Sequence, residues 1–541
     1  MTTVKNVKTV TTDILIVGGG MGGVAAALAA LRGGKRVILT EEYDWLGGQL
    51  TSQAVPMDEH TWVEQFGVTA SYRELREGIR EYYRDNYPLT GQARAQKALN
   101  PGAGLVSRLC AEPRVAVAVI DSLLAPWVGS QQLTILKPYA PVAATVDDTR
   151  VTSVTLEHDG ESITVEAAYV LDATELGDLL PLTGAEYVTG TESRAQTGEP
   201  SAPEVGDPDN VQAFSWCFVV DHIDGEDHTI DKPKDYDYWR TFEPEFWGAP
   251  MLSLTAPHPR TLEIVTRSFT PTIDDDPFAQ LADQRAGGGD DELWIFRRIL
   301  AQKMLEPGHL PSDLVLVNWP MIDYLGGSII DVDAATKARH LEAARQLSYS
   351  MFYWLQTEAP RPDGGAGWPG LRLRGDITGT TDGLAQAPYI RESRRIVAEY
   401  TVVEGDLSIA VRGHGRPATF ADTVGVGMYR IDLHPSTGGD NYIDVASAPF
   451  EIPLGALIPV RLDNLLPAGK NVGTTHITNG AFRLHPVEWN IGEAAGWLAA
   501  FCLDRATDPR AVRHTPRLLE EFQSLLIRRG VELHWPDVTG Y

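Results

Sequence analysis

The clearest pattern of hydrophobic and polar residues lies near the N-terminus. Residues 13–17 form a short apolar run with β-branched side chains at three of its five positions, which predicts a fully buried strand. Glycines dominate residues 18–23, residues 24–31 are rich in alanine and leucine and predict a closely packed helix, and residues 36–39 predict a second strand. The order strand, glycine turn, helix, strand is that of a βαβ unit.

The pattern is looser along the rest of the chain but still predicts many elements. We expect helices within residues 70–90, near 291–305, and over 334–357 and 486–503, with a terminal helical cap over 507–531. Short strands are predicted at 133–136, 151–158, 163–167 and 169–172, and a strand followed by a turn at 465–473. Residues 190–210 are rich in Glu, Ser, Pro and Gly, which is typical of a linker or surface loop.

Composition narrows the class of protein. With 541 residues, of which 43% are hydrophobic and 22% charged, the chain is expected to form two or more packed domains of a globular enzyme. The formal net charge is −27 and no run of Lys and Arg occurs, so nucleic acid and anionic membrane surfaces are poor partners. No run of about eighteen apolar residues occurs either, so no transmembrane helix is expected.

Cysteine usage favours a reducing compartment. Cys110, Cys217 and Cys502 are far apart and no CxxC motif occurs, so a disulfide framework, a zinc site and a dithiol redox pair are all unsupported. Residues 1–12 are polar and lack the apolar segment of a signal peptide. We therefore expect a cytoplasmic protein without a metal site.

The glycine turn fits a dinucleotide-binding fingerprint. In the motif Gly18-x-Gly20-x-x-Gly23 the first glycine permits the tight turn, the second lets the backbone approach a pyrophosphate, and the third lets helix and strand pack closely. The start of the helix then offers free N–H groups to the phosphates. Glu41 stands eighteen residues after Gly23, at the end of the second strand, where a carboxylate accepts hydrogen bonds from ribose hydroxyls.

Seven segments carry a resemblance to a known family. The loop Trp45-Leu46-Gly47-Gly48-Gln49-Leu50-Thr51-Ser52-Gln53 resembles that of the FAD-dependent oxidoreductases of the glutathione-reductase-like superfamily, and looks closest to a bacterial group. The other resembling segments are 169–178, 462–470 and 486–496, and the loops at 318–324, 387–395 and 424–434 resemble the same group. Many relatives have an acid directly after the late Ala-Gly, whereas here Gly469 is followed by Lys470 and Asn471, which leaves the ribityl contact open.

The resemblance implies FAD as the cofactor and a particular architecture. It implies an α/β fold in which a discontinuous, Rossmann-like FAD-binding domain, with a parallel sheet plus a β-meander, is joined to a mixed α+β substrate domain. The implied boundaries are residues 1–190 and 451–505 for the FAD-binding domain, 191–450 for the substrate domain and 506–541 for the helical cap. The implied FAD-binding residues are Gly18, Gly20, Met21, Gly22, Gly23, Glu41, Glu42, Gly47, Gly48, Gln49, Ser52, Ala143, Ala173, Thr174, Gly469, Asn471, Val487, Asn490 and Ile491.

The expected chemistry is direct oxidation of a small organic substrate by hydride transfer to the flavin. No second GxGxxG motif occurs in 191–460, which favours electron transfer to oxygen or an external acceptor over a nicotinamide-coupled reductase. An NAD(P)H-using flavin monooxygenase and a non-catalytic protein stabilised by flavin stay open, as does a homodimeric assembly.

Candidate catalytic residues come from segments expected near the flavin. They are His434, His476 and Arg483, for each of which a structural role stays open. His485 lies in the same segments. Arg391 and Arg483 are candidates to anchor a carboxylate, or else to pair internally with Glu392 and Glu488.

Overall fold

A computed structural model describes residues 8–282 and 289–541. Its strands are β1 (Lys8–Val17), β2 (Val37–Thr40), β3 (Leu133–Leu136), β4 (Ala140–Asp147), β5 (Arg150–His158), β6 (Glu161–Asp172), β7 (Tyr187–Val188), β8 (Phe214–Ser215), β9 (Phe218–His222), β10 (Thr255–Pro257), β11 (Ile264–Thr266), β12 (Arg298–Leu300), β13 (Leu314–Val317), β14 (Asp323–Tyr324), β15 (Leu371–Leu373), β16 (Arg395–Ile396), β17 (Thr423–Gly427), β18 (Ile431–Leu433), β19 (Ile443–Val445), β20 (Phe450–Pro453) and β21 (Leu465–Pro467).

Its α-helices are α1 (Met21–Arg32), α2 (Ala70–Asn86), α3 (Gly91–Arg94), α4 (Pro113–Gly129), α5 (Leu179–Thr183), α6 (Arg194–Thr197), α7 (Tyr236–Trp239), α8 (Pro277–Ala282), α9 (Leu293–Phe296), α10 (Ala334–Thr357), α11 (Gly375–Thr378), α12 (Glu404–Leu407), α13 (Ile409–Arg412), α14 (His476–Phe482), α15 (His485–Arg505), α16 (Pro509–His514) and α17 (Pro516–Arg528). Single 3₁₀ turns lie at Gly48–Leu50, Gln302–Met304, Pro320–Ile322 and Leu454–Leu457.

The main sheet is built from the two ends of the chain. Its order is β3-β2-β1-β6-β5-β4, with β21 also paired to β6. The pairings of β1 with β2 and β6, of β2 with β3, and of β6 with β21 are parallel, whereas β4, β5 and β6 form an antiparallel meander. This arrangement confirms the expected α/β class, with a parallel sheet and a β-meander.

Helices α1 and α15 pack together over this sheet through glycines. A Cβ on Gly492 would come 2.0 Å from the carbonyl oxygen of Gly22, and a Cβ on Gly22 would come 1.7 Å from that of Ala468. Only glycine permits backbone to approach backbone so closely. The late helix is thereby held against the helix that follows the first strand.

The middle of the chain forms a second layer of smaller sheets. The largest has the order β12-β13-β9-β15, and the others are antiparallel pairs, among them β14 with β8 and β18 with β19. The long helix α10 packs on β8 and β14. The short strands β14 and β18 position two polar residues described below, because Asp323 lies in β14 and His434 directly follows β18.

One predicted helix is wrong. Residues 291–305 contain only the single helical turn α9, followed by β12 and a 3₁₀ turn. Ile299 and Leu300 are fully buried in the sheet, and Arg298 forms ion pairs of 2.9 Å with Asp275 and Asp313. A short apolar run is equally compatible with a helix and with a strand. Strand partners that are distant in sequence decide which of the two forms.

Other predictions differ only in their bounds. The strands expected at 163–167 and 169–172 are one continuous strand, β6, and the helical cap consists of α16 and α17. The sequence reading missed α14, which begins after Thr475, whose Oγ1 accepts a hydrogen bond from the Thr478 N–H.

Two absences concern the described part of the chain alone. None of its helices is long and apolar enough to cross a membrane. All three cysteines are buried and unbonded to one another.

Candidate active site

The glycine turn after β1 leaves the start of α1 open. Helix α1 begins at Met21 after Gly20, with no side chain capping it and no acid in its first turn. Its first N–H groups therefore lie ready for an anion, because the start of a helix carries unpaired donors and a positive dipole end. Gly18 packs against the backbone of Ala173, since a Cβ on Gly18 would come 2.3 Å from that carbonyl oxygen.

Glu41 closes one side of this turn. Its Oε2 accepts a hydrogen bond of 2.8 Å from the Gly19 N–H, and its Oε1 accepts one of 3.0 Å from the Tyr43 N–H. Burial raises the pKa of Glu41 to about 8. The side chain of the next residue, Glu42, is exposed.

The loop after β2 is tied to the glycine turn. Gly47 has φ +112° and Gly48 has φ +50°, a left-handed backbone that suits glycine, and the Gly47 N–H donates a 2.7 Å hydrogen bond to the Gly19 carbonyl. A Cβ on Gly48 would come 2.8 Å from the Cα of Gly20. The two glycine segments thus face each other, and Ser52 donates to the carbonyl of Gly48 at 3.2 Å.

The late segment brings a buried cation into the same region. The ammonium of Lys470 is ion-paired with Glu175 and lies 3.6 Å from Glu488. Burial alone would lower the pKa of Lys470, but the two carboxylates raise it well above its usual value. Lys470 therefore stays charged directly after the late Ala-Gly, and neither it nor Glu175 was predicted to have a role.

Several buried amide groups here have oxygens free for a ligand. Gln49 Nε2 donates to the Arg483 carbonyl at 3.1 Å and to Glu488, and Asn471 Nδ2 donates to the Asp172 carbonyl at 3.1 Å. The Oε1 of Gln49 and the Oδ1 atoms of Asn471 and Asn490 accept no hydrogen bond from residues 8–282 or 289–541. Together with the open start of α1 and the facing glycines, these atoms fit a flavin dinucleotide.

The structure brings together most of the residues expected to bind FAD. Thr174, whose Oγ1 donates to Asp172, adjoins Ala173 beside the turn, and Val487 and Ile491 are buried in α15. Ala143 is the exception, because it is exposed in the outer strand β4, with β5 and β6 between it and β1. Ala143 and the exposed Glu42 therefore lie outside the buried cluster.

A second polar cluster lies beside the first. His434 follows β18, and its Nδ1 donates a 2.6 Å hydrogen bond to Asp323 in β14. Asp323 also accepts a hydrogen bond of 2.5 Å from the Ser215 hydroxyl and forms an ion pair of 3.0 Å with Arg391. Burial alone would raise the pKa of Asp323, but Arg391 and His434 outweigh it and hold that pKa below its usual value. Burial lowers the pKa of His434.

Arg483 joins the two clusters. Its guanidinium donates a hydrogen bond of 2.9 Å to the Tyr389 hydroxyl and forms an ion pair of 3.2 Å with Asp432. Its backbone carbonyl accepts a hydrogen bond from Gln49. The expected pairings with Glu392 and Glu488 are therefore wrong. Glu392 pairs instead with Arg395 and His476, and Glu488 interacts with Lys470 and Gln49.

The three histidines differ in their surroundings. The side chain of His434 is 19% exposed, whereas that of His476 is 5% exposed and its Nδ1 lies 2.9 Å from Glu392 inside an ion-paired network. His485 is fully buried, its Nδ1 accepts a 3.0 Å hydrogen bond from the Asp58 N–H, and burial lowers its pKa to about 3. Of the three, His434 is the best placed to meet a substrate.

A Rossmann-like sheet with an open helix start, and a cluster of polar side chains beside it, are typical of a dinucleotide-binding protein. The sequence model of the FAD-dependent oxidoreductase family matches residues 13–526. The chain belongs to that family, and its cofactor is FAD. The narrower resemblance to the glutathione-reductase-like superfamily stays a prediction, and a search of curated proteins found no match.

Solved structures resemble the chain only remotely. A geranylgeranyl bacteriochlorophyll reductase-like protein from Thermoplasma acidophilum is 10% identical over 97% of this chain and 85% of its own, with a TM-score of 0.30. A variant of E. coli quinol fumarate reductase is 11% identical over 96% and 74%, with a TM-score of 0.29. L-proline dehydrogenase from P. horikoshii is 16% identical over 35% of this chain, which spans only 25% of that protein, with a TM-score of 0.19.

Proposed function

We propose that this protein is an FAD-dependent dehydrogenase or oxidase that removes a hydride and a proton from a small organic substrate. When bound, FAD supplies the two-electron acceptor, taking the hydride at its N5. The observation that carries the proposal is the Asp323–His434 pair. Arg391 pairs with Asp323 and stacks on Tyr389, and Arg483, which bonds Tyr389, holds Gln49, so the pair is connected to the Gln49 loop. The electrons then leave to oxygen or to an external acceptor.

His434 has the properties of a general base. Burial lowers its pKa, so the ring is neutral near pH 7. Because Nδ1 donates to Asp323, the other nitrogen, Nε2, carries the lone pair that accepts a proton. Asp323, whose own pKa is low, then stabilises the imidazolium that forms. His434 Nε2 thus takes the substrate's hydroxyl or amine proton as the hydride leaves carbon.

The start of α15 contributes on the flavin side. No side chain caps this helix at Leu484, and Pro486 occupies its first turn. A helix start stabilises the negative charge that a flavin gains on reduction. Asp58 and His485 are joined there by the 3.0 Å hydrogen bond, which fixes the loop 52–58 against the helix.

The proposal is tested by anaerobic mixing of the FAD-loaded protein with a panel of alcohols, amines, hydroxy acids and amino acids. We expect at least one class to bleach the flavin absorbance. His434→Gln should slow that reduction by about 10²- to 10⁴-fold while FAD stays bound. His514→Gln is the matched control, because its ring is 62% exposed and pairs with Glu399 on the surface.

Two results would overturn the proposal. Flavin that no member of the panel reduces would favour the non-catalytic binding protein. Rapid NAD(P)H oxidation with formation of a flavin C4a-peroxide would instead favour the monooxygenase.

A further inference from the structure

Two buried arginines contact Tyr389 next to the Asp323–His434 pair. Arg391 lies over the Tyr389 ring at 4.8 Å from its centroid, and Arg483 donates to the Tyr389 hydroxyl at 2.9 Å. A third arginine, Arg297, lies between α9 and β12, is 13% exposed, is within electrostatic range of the same tyrosine and lies 3.8 Å from Asp58. Three distant stretches of the chain thus bring three permanent positive charges into one region.

These guanidinium groups keep donors that the described residues do not satisfy. The Nε atoms of Arg391 and Arg483 donate to no group in the described ranges, although those side chains are only 1% and 3% exposed. Arg297 has two such atoms, Nε and Nη1. A buried donor without an acceptor is costly, so several in one place indicate a binding site for an acceptor-rich group.

Arg297 differs from the other two arginines in how it meets its counter-ion. Asp323 and Asp432 form ion pairs of 3.0 and 3.2 Å with Arg391 and Arg483. Asp58 lies 3.8 Å from Arg297, beyond hydrogen-bond distance, so the Nε and Nη1 atoms of Arg297 have no acceptor among the described residues. A carboxylate matches the geometry of these free donors, because guanidinium and carboxylate pair through two parallel hydrogen bonds.

We propose that Arg297, assisted by Arg391 and Arg483, binds the carboxylate of the substrate, so that the enzyme oxidises small hydroxy or amino carboxylates. This inference rests on the proposed function. One carboxylate oxygen of Asp323 pairs with Arg391, and the other accepts the hydrogen bond from the proposed base, His434. The carboxylate-binding arginine and the base are therefore positioned by the same residue. The substrate would give its O–H or N–H proton to His434 and a hydride to the bound flavin, the two-electron acceptor, so that its C–O or C–N bond becomes a double bond.

The inference is tested with an unreactive probe rather than by turnover alone. Benzoate is titrated into the FAD-loaded protein, and the shift of the visible flavin spectrum gives a dissociation constant. Neutral benzamide is the matched comparison. We expect benzoate to bind, benzamide to bind far more weakly, and Arg297→Met to weaken benzoate about 10- to 100-fold.

Further variants distinguish the effect of losing a charge from the effect of disturbing the fold. Arg297→Lys keeps the charge but loses the paired donors, so it should bind benzoate with intermediate affinity. Arg240→Met is the control, because Arg240 is 41% exposed and pairs with Glu358 on the surface. FAD content and Tm should be those of the wild type in all three proteins, which distinguishes lost binding from lost structure.

The outcomes distinguish this inference from the proposed function. Flavin reduction by uncharged alcohols or amines, with benzoate binding equal in wild type and Arg297→Met, would overturn the carboxylate site and leave the oxidase proposal standing. Benzoate binding that depends on Arg297, with no reduction by any acid in the panel, would support the anion site and overturn the oxidation.

Discussion

At the scale of single residues, one hydrogen bond distinguishes His434 from its neighbours. Its pairing with Asp323 fixes which ring nitrogen bears the proton, and burial sets a low pKa. His476 and His485 use Nδ1 to hold Glu392 and the Asp58 backbone. Of these three histidines, His434 is the one whose orientation and exposure suit proton removal.

The pH dependence of flavin reduction should report this residue. Because burial lowers the pKa of His434, the reduction rate should be constant at neutral pH and fall only at a pH below the usual 6.5 of histidine. Asp323→Asn removes a charge that raises that pKa, so the fall should move to lower pH as the maximal rate drops. Stopped-flow rates from pH 4.5 to 8 measure both effects. An acid limb that stays in place in His434→Gln would assign the limb to another group.

Glu41 allows a separate prediction for the cofactor. Glu41→Gln keeps one oxygen for the Gly19 N–H but replaces the other acceptor oxygen with an amide NH2 group, which can accept neither from the Tyr43 N–H nor from a ribose hydroxyl. We expect FAD affinity to fall about tenfold, because each lost hydrogen bond costs about 0.5–1.5 kcal/mol. Flavin fluorescence on dilution measures the dissociation constant. Glu42→Gln is the comparison, and because Glu42 is exposed we expect its affinity to match that of the wild type.

Local chemistry explains which site residues the sequence could predict. Gly18, Gly20 and Glu41 lie within one βαβ unit, where spacing alone sets their geometry. No local spacing indicated a role for Asp323 or Arg297. Their partners, His434 and Asp58, lie more than a hundred residues away in sequence. A carboxylate on a strand of two residues becomes a catalytic candidate only when the fold supplies its histidine.

At the scale of secondary structure, the contact between α1 and α15 sets the geometry of the cofactor site. Gly22→Ala would drive a Cβ to 1.7 Å from the Ala468 carbonyl, so the late strand and α15 must shift. We expect a loss of about 1–3 kcal/mol in the free energy of unfolding and a reduced FAD content. Gly129→Ala is the control, because a Cβ there meets nothing within 4 Å. Equal denaturation midpoints for the two variants would contradict the packing argument.

Elements were predictable where the pattern is strong and local. The helix at 70–86 follows a periodic stretch, and the helix at 485–505 follows a run rich in alanine and glycine. The prediction of a helix over 291–305 failed because β12 pairs with β13 and is buried by that pairing. No pattern in the neighbouring sequence indicates this partner. The helix α14 was hidden in a polar stretch, although Thr475, which caps it, was a usable signal.

At the scale of the whole molecule, the net charge should oppose the substrate that the arginines select. The formal charge is −27, so an anionic substrate approaches against the field of the protein, although it binds to buried positive groups. The second-order rate of flavin reduction by a carboxylate substrate should therefore rise as ionic strength increases from about 10 to about 200 mM, because salt screens the repulsion. Stopped-flow measurements in increasing NaCl test this. A rate that falls with salt would show that local attraction by the arginines prevails.

The order of the strands also has a consequence for synthesis on the ribosome. Strand β21 pairs with β6, and α15 packs on α1, yet roughly 300 residues separate β6 from β21 in the chain. At about 5–20 residues per second, the first half of the cofactor domain waits roughly 15 to 60 s for its last strand. During that interval the end of β6, residues 170–172, lacks its β21 partner, and the nascent chain is open to mispairing there. Expression should therefore depend on chaperones and on translation speed through the middle of the message.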